Sequence, residues 1–408
     1  MKSVTSTILA FSMLLIFFTG CATYDARRVE PTPIMQAETE IPEDQLLDVG
    51  VLVFESKEID EETAKKEGTH PEIRKAESHF IPYHLKNTLH HSSHWGAVRV
   101  LPAETNSVDL LVAGEILESN GQHLVLKVTV TEATGKKWFT RTYEQEAGEF
   151  MYSGNTVGKK DAFQNIYNSI ANDIAKHKQK MNPEDIRNIR TVSKLKFAGD
   201  FAPEAFGDYL KESKKKTLTI NRLPSDEDPM MDRLMRIRER EYMYVDTLNE
   251  YYEVFYNEMW PSYENWRKLS LEEQRAIQKI KREARMRQVV GALLLIGAIA
   301  MSQGDSNNTA ALQAGMVIAG GQVIIDGFNI SREAEIHSAA IQELSESFGN
   351  EMKPVVMDFE GKQYELTGSA EEQFKNWREL LRKIYKAETG FDLNQEPDEN
   401  TAAPETDQ

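Results

Sequence analysis

The spacing of apolar residues changes character several times along this chain. Ile8 to Phe18 is an apolar run behind Lys2, interrupted only by Ser12 and ending at Phe18-Thr19-Gly20-Cys21. Residues 22–46 show no apolar period and are rich in Pro, Glu, Thr and Ala, the composition of a flexible tether. Strand and helix patterns then alternate. Val49-Gly50-Val51-Leu52-Val53-Phe54 suits a buried strand. Ile81, Leu85 and Leu89 fall on one helix face, with Pro82 in a first turn that tolerates proline. Val98-Arg99-Val100 and Asp109 to Ile116 read as strands. Leu124, Leu126, Val128 and Val130 alternate toward one side of a sheet. Ala133-Thr134-Gly135-Lys136 makes a turn, and Trp138 to Tyr143 returns as the hairpin partner. Phe163, Ile166, Ile170 and Ile174 then mark a helix over about 161–176.

The second half has a different texture. Residues 181–228 read as a linker punctuated by Pro183, Pro203 and Pro224, with Asn182-Pro183-Glu184-Asp185 resembling a helix start. Val245, Leu248, Tyr252, Phe255 and Met259 step by three and four, a helical stripe that Pro261 should interrupt. A second helix from about Ser270 passes through Lys279, Lys281, Arg282, Arg285 and Arg287 into the apolar run Val289 to Met301. After the polar Asp305-Ser306-Asn307-Asn308, residues 310–325 are apolar again. Val355 to Phe359 and Gln363 to Leu366 flank Glu360-Gly361-Lys362 as a β-hairpin. Ser369 with Glu372 is a capping box opening a helix that carries Phe374, Trp377, Leu380, Leu381 and Ile384.

These patterns predict an α+β fold. A small α/β sheet domain (47–180) is followed by a mainly helical domain (229–350) with a long helical hairpin, then by a terminal β-hairpin and helix (351–390). Residues 391–408 are an acidic tail expected to be disordered. Over 408 residues the formal net charge is -17, which disfavours nonspecific nucleic-acid binding.

The order "WGAVRVLP", "DLLVAGEI", "LVLKVTVTEATGKKWFTRTYE" resembles the periplasmic α/β domain of curli-secretion-type lipoproteins and the amino-terminal domain of TolB. Leu111-Val112-Ala113-Gly114 and Glu132-Ala133-Thr134-Gly135-Lys136 carry the likeness, over about a third of the chain. The resemblance implies an interaction or assembly role in a bacterial envelope and carries over no active-site residue. Residues 1–20 have the layout of a secretory signal. With Cys21 at the cut they resemble the lipobox of bacterial lipoproteins, although Phe18 stands where leucine is usual. That resemblance implies acylation of Cys21. Ala22, rather than Asp, implies sorting to the outer membrane, facing the periplasm. Cys21 is the sole cysteine, so no internal disulfide or thiolate metal site is available to the mature chain.

Two features could carry chemistry. Six of the nine histidines fall between residues 70 and 94. Helical projection puts His84 and His91 together, and His90 and His94 are four apart, a chelating spacing. The alternative is a solvated face rich in histidine. The other feature is the apolar hairpin of residues 289–325, in which Gly291, Gly297, Gly315, Gly320 and Gly321 permit close helix approach. It reads either as a buried hairpin or oligomer seam, or as a membrane contact helped by the basic run before it.

The expected protein is therefore a lipid-anchored, non-enzymatic scaffold or assembly accessory. It needs no cofactor. Its partners are the bilayer, through acylated Cys21, other envelope proteins, and a second copy of itself as an option. The alternative functions are a pore-forming or membrane-remodelling lipoprotein acting through 289–325, and a periplasmic metal binder using His84, His91 and His94.

Overall fold

The computed structural model describes residues 30–56, 71–152, 161–214, 216–301, 336, 339–343, 346, 354–359 and 362–390. The chain divides into two units, Met1–Pro31 and Thr32–Gln408. The first lies almost wholly outside the described residues. The described sheet and helices belong to the second.

The fold is α+β. Strands β1 (Val49–Leu52), β2 (Glu55–Ser56), β3 (Val98–Leu101), β4 (Leu110–Ser119), β5 (His123–Glu132) and β6 (Lys137–Glu146) form one mixed sheet. Its order is β3-β1-β4-β5-β6, with β2 beside β4. β1 is parallel to both neighbours, Val49 lying opposite Val98 and Leu110. β4, β5 and β6 are an antiparallel meander. Parallel β1 and β3 need a crossover, which helix α1 (Pro71–His91) supplies.

α1 begins ten residues before the Ile81–Leu89 stripe, so Pro82 sits inside the helix and not in its first turn. Phe80, Ile81 and Leu85 are fully buried around it, and this packing holds the helix through a proline that removes one backbone donor. α2 (Gln164–Lys178) presents Ile166, Ile170 and Ile174, four apart, to the same core.

The segment expected to be a linker is folded. Asn182 caps α3 (Pro183–Phe201), its side chain accepting from the Asp185 N–H, with Pro183 in the first turn. Pro203 ends that helix and opens a further turn, Pro203–Phe206. Strands β7 (Leu210–Glu212) and β8 (Leu218–Ile220) form a short hairpin that meets the β5–β6 turn through the Leu218 N–H and Thr134 carbonyl.

Helix α4 runs from Pro229 to Met301. The Asp228 carboxylate accepts from the N–H groups of Met230 and Met231 at its start. Pro261 lies inside and does not interrupt it. Met259 and Tyr263, on either side, are buried and fix both turns. α4 joins two cores. Leu234, Val245, Leu248 and Tyr252 pack with Phe197, Phe201 and the carboxy-terminal elements. Phe255, Met259, Tyr263 and Trp266 belong to the core of the sheet and α1. The expected division between an α/β and a helical domain is thus bridged by one helix and shared apolar packing. Asn249 of α4 also caps the outer edge of β3 at Val100. Its amide oxygen accepts from the Val100 N–H at 2.8 Å, and its amide nitrogen donates to the Val100 carbonyl at 2.9 Å.

β9 (Val355–Phe359) and β10 (Lys362–Leu366) form the terminal hairpin. α5 (Ala370–Thr389) carries the complete Ser369–Glu372 capping box and stops at Gly390, in the left-handed conformation. Arg378 ties α5 to Glu241 of α4 and Asp200 of α3, at 3.0 and 2.6 Å.

The expected tether is shorter than 21–46. Residues 32–37 form a strap along α2. Asn165 and Asn172 accept from the N–H groups of Thr32 and Met35, and Asn168 and Asn172 donate to the carbonyls of Thr32 and Pro33. The Ala37 N–H donates to the Ser92 carbonyl. A strap without apolar period can still dock when side-chain amides satisfy its backbone.

Candidate functional site

The densest ionisable cluster lies where α4 crosses α1 and the sheet. The helix period brings Tyr256, Tyr263 and Arg267 of α4 onto the face that meets α1. Phe80 of α1 stacks on Tyr256, with ring centres 4.6 Å apart, and meets Tyr263 edge-on at 4.7 Å. Beside this aromatic layer the Arg267 guanidinium, 2 % exposed, donates to Asp161 at 2.8 Å and to the Tyr263 hydroxyl at 2.5 Å. It also lies 3.9 Å over the Tyr263 ring, a cation–π contact. Tyr263 in turn donates to Glu77, which also accepts from the Ser119 hydroxyl and lies 3.6 Å from Arg74. Two cations and two carboxylates are therefore buried as a neutral set.

The electrostatics follow from that pairing. Burial alone would raise the Asp161 pKa. The Arg267 charge, His84 and the Phe163 N–H outweigh it and hold the carboxyl below its ordinary range. Burial pushes the Tyr263 hydroxyl well up, so it stays protonated as a donor.

His84 forms a second node. Gln164 uses its amide nitrogen on Thr88 and Asn168, leaving Oε1 to accept from His84 Nε2 at 2.8 Å. That fixes the tautomer, so Nδ1 accepts from the Tyr256 hydroxyl at 2.7 Å. One ring thus links α1, α2 and α4. Burial, the largest cause, lowers its pKa.

The void beside the cluster, lined by Tyr152, Asp161, Tyr263 and Arg267 among others, holds about 10 Å³, the room of one water. Its charged groups are spent on one another. What the arrangement does is lock the direction of α4. A larger depression of about 290 Å³ lies at the surface by Glu132, Lys136, His177 and Lys180, where His177 stacks on Trp138.

The histidines proposed as ligands are not brought together. α1 ends at His91, and Ser93 takes a positive φ of 57°. His94 is therefore not one helical turn beyond His90, and the chelating spacing does not exist in three dimensions. His84 is buried in its hydrogen-bond pair, while His90 and His91 are exposed. His91 Nδ1 lies 2.6 Å from the Asn87 carbonyl. Among the described residues no three His, Cys, Asp or Glu side chains are placed to hold a metal ion. Cys21, Gly315, Gly320 and Gly321 lie outside the described residues. Gly291 and Gly297 lie in the last turns of α4.

The polar cluster has no local sequence signature because its members are scattered from residue 74 to residue 267. One signal was present: Arg267 occupies a position on the buried aromatic stripe of α4. No family model, curated protein or solved structure matches the chain.

Proposed function

We propose that the chain is an exported lipoprotein, acylated at Cys21 and held on the periplasmic side of a bacterial outer membrane, where it scaffolds or assembles other envelope proteins without catalysing a reaction. The observation that carries this reading is α4. A single helix of 73 residues is fixed to the body by buried ion pairs and two apolar cores. Such a rigid element suits a presenting arm. The described chemistry is spent on holding it in place. The likeness of 47–180 to envelope interaction domains, and the lipobox-like Cys21, support the location.

The test has two arms. In cells fed labelled palmitate, the parent chain should take up label and fractionate with membranes. The Cys21→Ser chain should do neither. A photo-crosslinker at Met243 or Val254, both exposed on α4, should give discrete protein adducts. Label on the Cys21→Ser chain, or no adduct at any exposed α4 position, overturns the reading.

A further inference from the structure

The far end of α4 has a charge pattern opposite to that of the molecule. The chain carries a formal net charge of -17, yet between Arg275 and Gln288 six residues are basic and only Glu283 is acidic. Val289 to Met301 then has no charge at all. One helix carries both stretches. Gln278 makes the last described hydrogen bond from α4 to the sheet domain, to Gln122 at 3.2 Å. Beyond it the helix runs on for about 23 residues, roughly 35 Å at its usual rise. Lys279 and Arg282, at the start of that stretch, are exposed.

A basic collar followed by an apolar helix end matches an anionic lipid leaflet: headgroups first, acyl chains next. Length selects the mode. The apolar part is roughly 20 Å of helix, against a hydrocarbon core of about 30 Å. Among the described residues no helix is long and apolar enough to cross a membrane. The segment can enter one leaflet or lie along its interface. An anionic surface would repel the acidic body and attract this segment alone. A second copy fits less well, because pairing the collars would bring like charges together.

We propose that residues 279–301 are a second membrane contact, independent of the lipid on Cys21: Lys279, Lys281, Arg282, Arg285 and Arg287 engage anionic phospholipid headgroups, and Val289 to Met301 enters the same leaflet. This deepens the envelope reading but does not depend on acylation.

The test uses residues 21–408 carrying Cys21→Ser, so that no acyl chain contributes. The protein is sedimented with vesicles of phosphatidylcholine alone or mixed with phosphatidylglycerol. It should partition onto the anionic vesicles, less so onto neutral ones, and less as salt is raised. Each cation at such a surface is worth about fivefold in partitioning. Lys281→Glu with Arg282→Glu should therefore weaken binding by more than about tenfold, with the melting curve of the parent retained. Leu294→Asp should lower binding to both vesicle types. Equal binding to neutral and anionic vesicles, or undiminished binding of the charge-reversed chain, overturns the proposal. So does self-association without vesicle binding, which would make a second copy the occupant. Failure here with palmitate still on Cys21 would leave the anchor intact and remove only this contact.

Discussion

Arg267 stands on α4 where the helix period asks for a core residue, between the buried Tyr263 and Leu271. A guanidinium is tolerated there only because Asp161 and Tyr263 meet it. Arg267→Met would leave the Asp161 carboxylate buried and unpaired, a loss of about 3–5 kcal/mol. Adding Asp161→Asn should recover part of it, because the uncompensated charge is gone. Urea midpoints of the single and double variants check this, and equal midpoints for the two would contradict the pairing. Nearby, Gly121 answers a different demand. A Cβ there would lie 1.9 Å from the Arg267 carbonyl oxygen and 2.6 Å from the Leu271 nitrogen. Both are backbone atoms of a packed helix and cannot move aside. Gly114, part of the recognisable Leu-Val-Ala-Gly stretch, leaves room for the Phe54 ring, whose atoms would be 2.3 Å from a Cβ. The glycine pattern was visible in the sequence; the partner that each makes room for was not.

At the level of elements, His84 makes the junction of α1, α2 and α4 sensitive to pH. The unfolded chain takes up a proton on this residue near pH 6.5. In the fold, burial first, then Arg267 and His91, hold the pKa lower against the opposing pull of Asp161 and Gln164. Between those two values the unfolded state binds more protons. Stability should therefore fall as pH drops below about 6.5, and His84 should have no effect above it. His94 and His177 are shifted the same way, each chiefly by burial. The decisive comparison is thus the pH dependence of the urea midpoint in the parent and in His84→Gln. An unchanged dependence in the variant would remove His84 from the junction. The elements themselves were largely legible, because strand alternation, the Ile166–Ile174 stripe and the Ser369 capping box are local signals. Pro82 and Pro261 misled for one shared reason. A proline breaks a helix when nothing else holds it, and here buried side chains on both flanks do. The linker and tether segments carry no such local signal, because Pro-rich, polar stretches gain order from distant partners, as Asn165, Asn168 and Asn172 show for the strap.

For the whole molecule, sequence texture suggested independent blocks, whereas the cores are shared. Residues 47–180 alone would lack Met259, Tyr263 and Trp266, all buried in the sheet core. They would also leave Glu77 without Tyr263, and Asp161 without Arg267. That fragment should therefore be expanded and melt without a cooperative transition, whereas residues 32–390 should unfold in one step. Calorimetry of both pieces decides it. A sharp, reversible transition in the fragment would show that α4 is an accessory and not part of the core. Periodicity reports which residues are buried, not against which part of the chain.

The side-chain amide that seals β3 also sets how this sheet can grow. Strand β6 pairs with β5 on one side and, among the described residues, with no strand on the other. A sheet that can propagate needs two free margins, and Asn249 removes one of them. β2 also pairs only β4 among the described residues, but two residues are too short to template a strand, so exchange between copies falls to β6. Two molecules joined β6 to β6 would use up that margin, and the result would be a closed pair rather than a fibre.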